Sequence, residues 1–333
     1  MIDKKRVTLY FVCGIVALII AFLVCMAFGS TGADISLALK ALTERNYDNS
    51  DLRIFLFVRF PRCLGAILSG SALAVSGVLI QAILNNPMAS PNIIGVNSGA
   101  GFAVILTVAI FPNFMSIIPA VAFLGAMVAC IIIYAISNIT GAGRITITLV
   151  GIAVTSILNA ALNAVKTFFP NSVYNFTSFS VGGLAGINMH ILLRAMPIIL
   201  LCLFIAIIAS RNADIICLGE DTALNLGMNV KFWKFIFLIV ASALAGCAVS
   251  FAGLLGFVGL VVPHIVRIFV GNKHILLIPL SAIFGAVFVL WCDLFCRVVF
   301  RPYEIPVGIV LSLAGGIFFV CLILFHRKGS IYD

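Results

Sequence analysis

The chain has 333 residues, 63% of them hydrophobic and only 9% charged, with a formal net charge of +9. A soluble domain carries about 25% charged residues, so this composition cannot cover a water-facing surface of such size. A membrane-crossing helix needs roughly 20 apolar residues, and about 210 apolar positions suffice for about ten of them. The long unbroken runs exclude the short alternating segments of a lipid-facing barrel. The expected fold is therefore all-α, a polytopic membrane bundle of about ten transmembrane helices.

At the start, Lys4, Lys5 and Arg6 precede an apolar run over 7–28. A signal peptide's apolar core is only about 7–15 residues long, so this run reads as an uncleaved first span. A polar stretch from Ser30 to Arg53 follows, in which Ile35, Leu37, Leu39 and Leu42 suggest a short amphipathic helix at the outer surface. Further spans are expected at 55–84, 93–111, 114–137, 144–169, 191–209, 232–251, 253–270, 274–296 and 305–325. Asn171 to His190, rich in Ser, Asn and Gly, reads as a second outer loop, and Arg211 to Lys231 is the longest polar stretch expected on the cytoplasmic side. No linker or low-complexity segment divides the chain, so residues 1–333 form one domain.

An even number of spans puts both termini on one side, and Lys/Arg bias assigns that side to the cytoplasm. The margin is narrow. Arg45, Arg53, Arg59, Arg62, Arg194, Arg297 and Arg301 fall outside or at outer span ends, while Arg327 and Lys328 join the basic N-terminus on the inside. Small residues recur at packing distance (Gly65, Ser69 and Gly70, Ala72 and Ser76, Gly253, Gly256 and Gly259), as close helix contact in lipid requires. Pro61, Pro119, Pro197, Pro263 and Pro279 interrupt spans, either beside a water-filled cavity or as tolerated kinks.

Several chemistries find no support. There is no HExxH or GxSxG motif, so no hydrolase is indicated. Cys292 and Cys296 flank Asp293 one turn apart, but no nearby His completes a metal set, and packing explains them. No metal, cofactor or nucleic-acid partner is expected. A proton-coupled carrier needs an ionisable group at mid-membrane, yet Asp293 is the one acid inside an expected span, close to its outer end. No GxxxxGK[ST] loop is present, so active transport would draw its energy from another subunit.

That requirement directs attention to Leu218–Gly227. Gly219 precedes a short helix, Glu220 and Asp221 complement its dipole, Gly227 ends it, and Leu218, Leu224 and Leu226 give it an apolar side. Such a helix either caps the bundle or inserts into a partner's groove.

Five segments in order resemble the iron–siderophore and cobalamin permease family of binding-protein-dependent ABC importers. They are Val58-Arg59-Phe60-Pro61-Arg62, running on to Gly77 and Gln81; Asn86-Pro87-Met88-Ala89-Ser90-Pro91 with Gly95 to Gly101; Leu218 to Gly227; Gly256 to Arg267, including Pro263-His264; and Glu304-Ile305-Pro306-Val307-Gly308. They cover most of the chain from about residue 55. One departure is Phe179 in the segment FSVGGLAG, where the family usually carries Trp.

The resemblance implies a type II importer permease, itself no enzyme, that translocates a ferric siderophore or similar chelate such as haem or cobalamin. It implies a second permease subunit, identical or related, and two ABC ATPase subunits that bind ATP and Mg. An extracytoplasmic binding protein would deliver cargo. Arg59, Arg62 and Arg297 would meet that protein, and Leu218, Gly219, Glu220, Asp221, Ala223, Leu224 and Gly227 would couple to the ATPase. Gln81, Asn85, Asn86 and Pro87 at the end of the second span either line an exit gate or cap the helix. His264 and Arg267 would pack beneath the coupling loop or touch the ATPase. The alternative is a stand-alone secondary transporter or channel.

Overall fold

The computed structural model describes residues 4–30, 35–44, 48–139, 144–299 and 301–326. Arg45, Arg327 and Lys328, which entered the charge bias, lie outside the described residues. The helices are α1 (Lys4–Ala27), α2 (Ile35–Thr43), α3 (Ser50–Ile54), α4 (Phe60–Leu84), α5 (Val96–Ile110), α6 (Ile118–Ile139), α7 (Arg144–Phe168) and α8 (Asn171–Val181). They continue as α9 (Met189–Ile208), α10 (Ser210–Cys217), α11 (Glu220–Asn225), α12 (Val230–Ala252), α13 (Val258–Val270), α14 (His274–Val298) and α15 (Val307–His326). Among the described residues seven helical stretches are long and apolar enough to cross a membrane: α1, α3 running into α4, α6 with the turn before it, α7, α9, α12 and α14. The chain is thus a multi-pass membrane protein.

The three other expected spans are the shorter apolar helices α5, α13 and α15. At about 1.5 Å per residue, the 15 residues of α5 and 13 of α13 reach roughly 20 Å, short of a hydrocarbon core about 30 Å thick. The expected helix over 253–270 starts only at Val258, because Gly253 and Phe257 hold left-handed backbone (φ 69° and 64°). Non-helical backbone at such depth must be satisfied by protein. Here Gly183 donates to Ala252 O (2.8 Å), Leu254 to Phe179 O (3.0 Å) and Gly308 to Gly182 O (3.1 Å). The segment read as an outer loop supplies part of this support and contains α8, which turns Phe176 fully into the core.

The most buried helices sit at the centre. The membrane-length window ending in α4 is 83% buried and that of α12 is 78%, against 17% for α1. Leu9, Val12, Ile15, Val16, Ile19 and Leu23 of α1 are exposed, a face suited to lipid. Register pairs set the directions. Ser71 Oγ donates to Ala282 O (2.8 Å) and Arg62 meets Asp293, so α4 runs antiparallel to α14. Gly14 faces Ile283 and Cys25 Sγ reaches Leu290 O, so α1 runs parallel to α14. The end at which α1 starts is called the inner end, after the charge bias, and the opposite end the outer.

Backbone contact at small residues holds α4 in place. A Cβ on Gly77 would lie 1.8 Å from Gly259 O of α13, and one on Gly70 would lie 2.2 Å from Gly285 O of α14. In lipid, where apolar surface gives no preference for a neighbouring helix, such close approach is what selects the pairing. Gly77→Val is expected to force α4 and α13 apart and to lower stability by about 1–3 kcal/mol, read as a fall in the melting temperature of the detergent-solubilised protein.

Candidate functional sites at the two ends of the bundle

At the outer end the chain enters α4 through one wide turn over Phe55–Arg59, closed by the Phe60 N–H on Phe55 O. Arg59 and Arg62, three residues apart and expected on one surface-facing side, are directed to different neighbours. Arg59 Nη1 donates to Met26 O (2.7 Å) and Ala27 O (2.8 Å) at the end of α1, and its guanidinium lies 4.5 Å from the Phe55 ring centroid. Arg62 turns to α14, where Nε meets Asp293 (3.0 Å) and Nη1 meets Glu304 (2.7 Å). Arg297 joins from one turn beyond Asp293, with Nε 3.0 Å from Oδ2 and Nη1 3.4 Å from Cys25 O and Phe28 O. Arg301 donates to Gly29 O.

The three expected docking residues are therefore brought together, but with their charges turned inward: Arg59 is 3%, Arg62 7% and Arg297 2% exposed. Asp293 is fully buried, bracketed by two guanidiniums, the pairing that a buried acid needs. Arg62 and Arg297 meet the two carboxylates and Arg59 meets main-chain carbonyls, so positive charge is left over. It faces the C-terminal carbonyls of α1, the negative end of that helix. Burial alone would raise the Glu304 carboxyl, but hydrogen bonds from Ser30 and Arg62, with the charges of Arg62 and Arg297, hold it below the usual carboxylate range. What the outer face presents to solvent at this cluster is Arg301 and the half-buried Glu304.

At the inner end, Leu218–Gly227 folds as the short helix read from its sequence. Gly219 (φ 112°) precedes α11, a conformation closed to residues with a side chain, and Gly227 (φ 78°) ends it. Gly227 donates to Leu224 O (2.9 Å) and Met228 to Ala223 O (3.0 Å), which close the last turn. Ala223 is fully buried, whereas Leu218, Leu224 and Leu226 are 62%, 58% and 62% exposed. Asp221 faces solvent. Glu220 points the other way, onto the ammonium of Lys234 in α12. Of the seven expected coupling residues, Leu218, Asp221 and Leu224 face outward, Glu220 and Ala223 anchor the helix, and Gly219 and Gly227 bound it.

The remaining inner-end residues pack and cap. Gln81 is 2% exposed and its amide donates to Ala89 O and Gly259 O, both at 3.2 Å. Asn85, in left-handed backbone, closes α4, and Asn86 Oδ1 accepts the Met88 N–H (2.9 Å) around Pro87. Asn85 and Asn86 also line a recess of about 380 Å³ between the inner ends of α4 and α7. His264 stacks edge-on against Phe318 of α15 (centroids 5.9 Å apart), and Arg267 is half-buried in the last turn of α13.

Two contacts had no expectation behind them: Lys234 as partner of Glu220, and the pair Asp214–His274. The available signal was a basic residue inside an apolar helix and an acid in a polar loop, types that seek each other when buried. Asp214 Oδ1 accepts the His274 main-chain N–H (2.9 Å) and lies 2.7 Å from His274 Nδ1. Burial pushes the Asp214 carboxyl up, but the donors and charge of His274, with the Lys273 charge, hold it below its ordinary value.

The geometry is that of a bundle with a buried charge cluster at one end and an apolar short helix presented at the other. Residues 17–325 match the model of the FecCD transport family. The chain belongs to that family. It is 36% identical over 288 residues to a probable siderophore transport system permease protein of Bacillus subtilis, covering 84% of this chain and 83% of the other. It is 33% identical to the hemin transport system permease protein of Yersinia pestis over 93% of this chain and 95% of that one. It is 32% identical to the Fe(3+) dicitrate transport system permease protein of Escherichia coli, over 86% and 90% respectively. A solved structure described as an inward-facing conformation of a putative metal-chelate type ABC transporter superposes with a TM-score of 0.85 at 25% identity, covering 95% of this chain and 99% of that one. This FecCD-family chain is thus an ABC importer permease, and its fold is shared by those permeases.

Proposed function

We propose that this permease imports a ferric chelate, with two ABC ATPase subunits docked on α11, a second permease subunit beside it, and an extracytoplasmic binding protein at the outer end. The observation that carries the reading is α11. Three leucines exposed beside an acidic first turn form a small amphipathic plug held off the bundle's inner end, and such a shape fits a partner's groove. The siderophore, hemin and iron-citrate relatives support a ferric chelate as cargo. Both termini would lie in the cytoplasm. At the outer end the surplus positive charge, presented to solvent by Arg301, would steer an acidic binding protein.

A secondary carrier is disfavoured by the commitments of Asp293. Among the described residues the acids in membrane-length helical stretches are Asp51, at the very start of α3, and Asp293, and both oxygens of Asp293 are engaged by Arg62 and Arg297. Uptake into proteoliposomes containing this chain, its partner subunits and internal ATP is expected to need ATP and to ignore an imposed proton or sodium gradient. Gradient-driven uptake with no ATPase present would overturn the reading.

A further inference from the structure

The inner segment from α10 to α11 holds the bundle through two carboxylates, one on each short helix. Asp214 of α10 takes both the main-chain N–H and the imidazole of His274, the first residue of α14. Glu220 of α11 takes the ammonium of Lys234, which stands early in α12 and is 4% exposed. These two helices are also the ones that grip α4. Ser71 Oγ of α4 donates to Ala282 O of α14 (2.8 Å), and Ser76 Oγ of α4 donates to Ala241 O of α12 (2.7 Å). Beside α11 lies a recess of about 250 Å³ walled by α6, α7, α11 and α12, with Glu220, Leu224 and Lys234 in its lining. Side chains do not fill that space, so α11 can be displaced there without overpacking, and the Glu220–Lys234 contact crosses the wall that would move.

We infer that Asp214 and Glu220 are positioning residues, the two ties through which displacement of the inner segment is carried to α14 and α12 on either side of α4. Apolar contacts slide, whereas a charge-assisted hydrogen bond fixes distance and direction. Asp214 fastens the segment to the end of α14, a 25-residue helix with Pro279 in its second turn, whose far end carries Asp293 between Arg62 and Arg297. Movement begun at α10 therefore reaches the outer cluster along one helix. The proposal rests on reading residues 218–227 as the ATPase contact.

The test is the number of cargo molecules moved per ATP hydrolysed, in proteoliposomes holding the complete importer. The cargo is whichever of ferric citrate, ferric hydroxamate or haem supports import by the unaltered complex; if none does, ATP-driven change in the distance between spin labels at the inner ends of α12 and α14 is read instead. Asp214→Asn and Glu220→Gln keep size and an acceptor oxygen. Each is expected to lower the ratio, or the distance change, about tenfold, the scale of one charged hydrogen bond, while the ATPase subunits stay bound and hydrolysing. The charge exchange Glu220→Lys with Lys234→Glu is expected to restore it, which a merely structural defect would not allow. An unchanged ratio in both single variants overturns the proposal, as does failure of the exchange to restore it. Should Asp214→Asn not fold, Glu220→Gln with its exchange decides the matter. If Leu224→Arg leaves ATPase binding intact, the underlying reading fails instead, and the two failures are told apart.

Discussion

Asp293→Ala is expected to cost about 3–5 kcal/mol, because removing one partner of a buried ion pair leaves the other charge uncompensated. Here the loss strikes two guanidiniums at once. Arg62 would keep Glu304, and Arg297 would keep only long main-chain contacts, to the carbonyl of residue 293 and to the end of α1. The measurement is the melting temperature and recovered yield of the detergent-solubilised protein, which should fall sharply. A second variant separates charge from shape. Replacing the core of the cluster together, with Asp293→Leu, Arg62→Met and Arg297→Met, removes the buried carboxylate and both guanidiniums that bracket it and leaves the half-buried Glu304 to water, and such apolar replacement is commonly neutral or stabilising. Stability is therefore expected to return in the triple variant. If import stays absent while stability is restored, the arginines serve docking or movement beyond holding α1 and α14 to α4. If Asp293→Ala melts with the unaltered protein, the cluster is not the tie described above.

The sequence made the long helices readable because each needs an apolar run and little else; the boundaries expected for α7, α9, α12 and α14 agree with those observed to within two residues. It misled where tertiary support replaces local pattern. The stretch 253–270 looks evenly apolar, yet Gly253 and Phe257 take left-handed backbone and delay α13 to Val258. Asn171–Val181 looks like a loop, and becomes helical because Phe176 finds the core. Of the candidate residues, the turn chemistry of Gly219 and Gly227 was legible because it is local. The orientation of Arg59, Arg62 and Arg297 was not. Their spacing placed them together, but whether a guanidinium faces water or a buried carboxylate depends on α1 and α14, which lie far away in sequence. For the same reason Lys234 and His274 gave no functional signal: each owes its role to a partner on another element.

Leu218→Arg combined with Leu224→Arg is expected to abolish import while leaving the permease folded. Both side chains are more than half exposed in the isolated chain, so charging them costs the fold little. In a complex they would be covered. Burying one fully exposed Leu side chain is worth about 1.5–3 kcal/mol; with 62% and 58% of these two left to cover, losing both weakens docking by at least about twentyfold, counting tenfold per 1.4 kcal/mol. The predicted result is an unaltered melting temperature, loss of the ATPase subunits on purification in mild detergent, and no ATP-dependent uptake. Because Glu220, Ala223 and the closing glycines are untouched, α11 keeps its anchor on Lys234 and its place beside α12. A double variant that still retains its ATPase and still imports would mean that the exposed leucines of α11 are only a lipid- or solvent-facing cap, and the energy input would have to enter elsewhere.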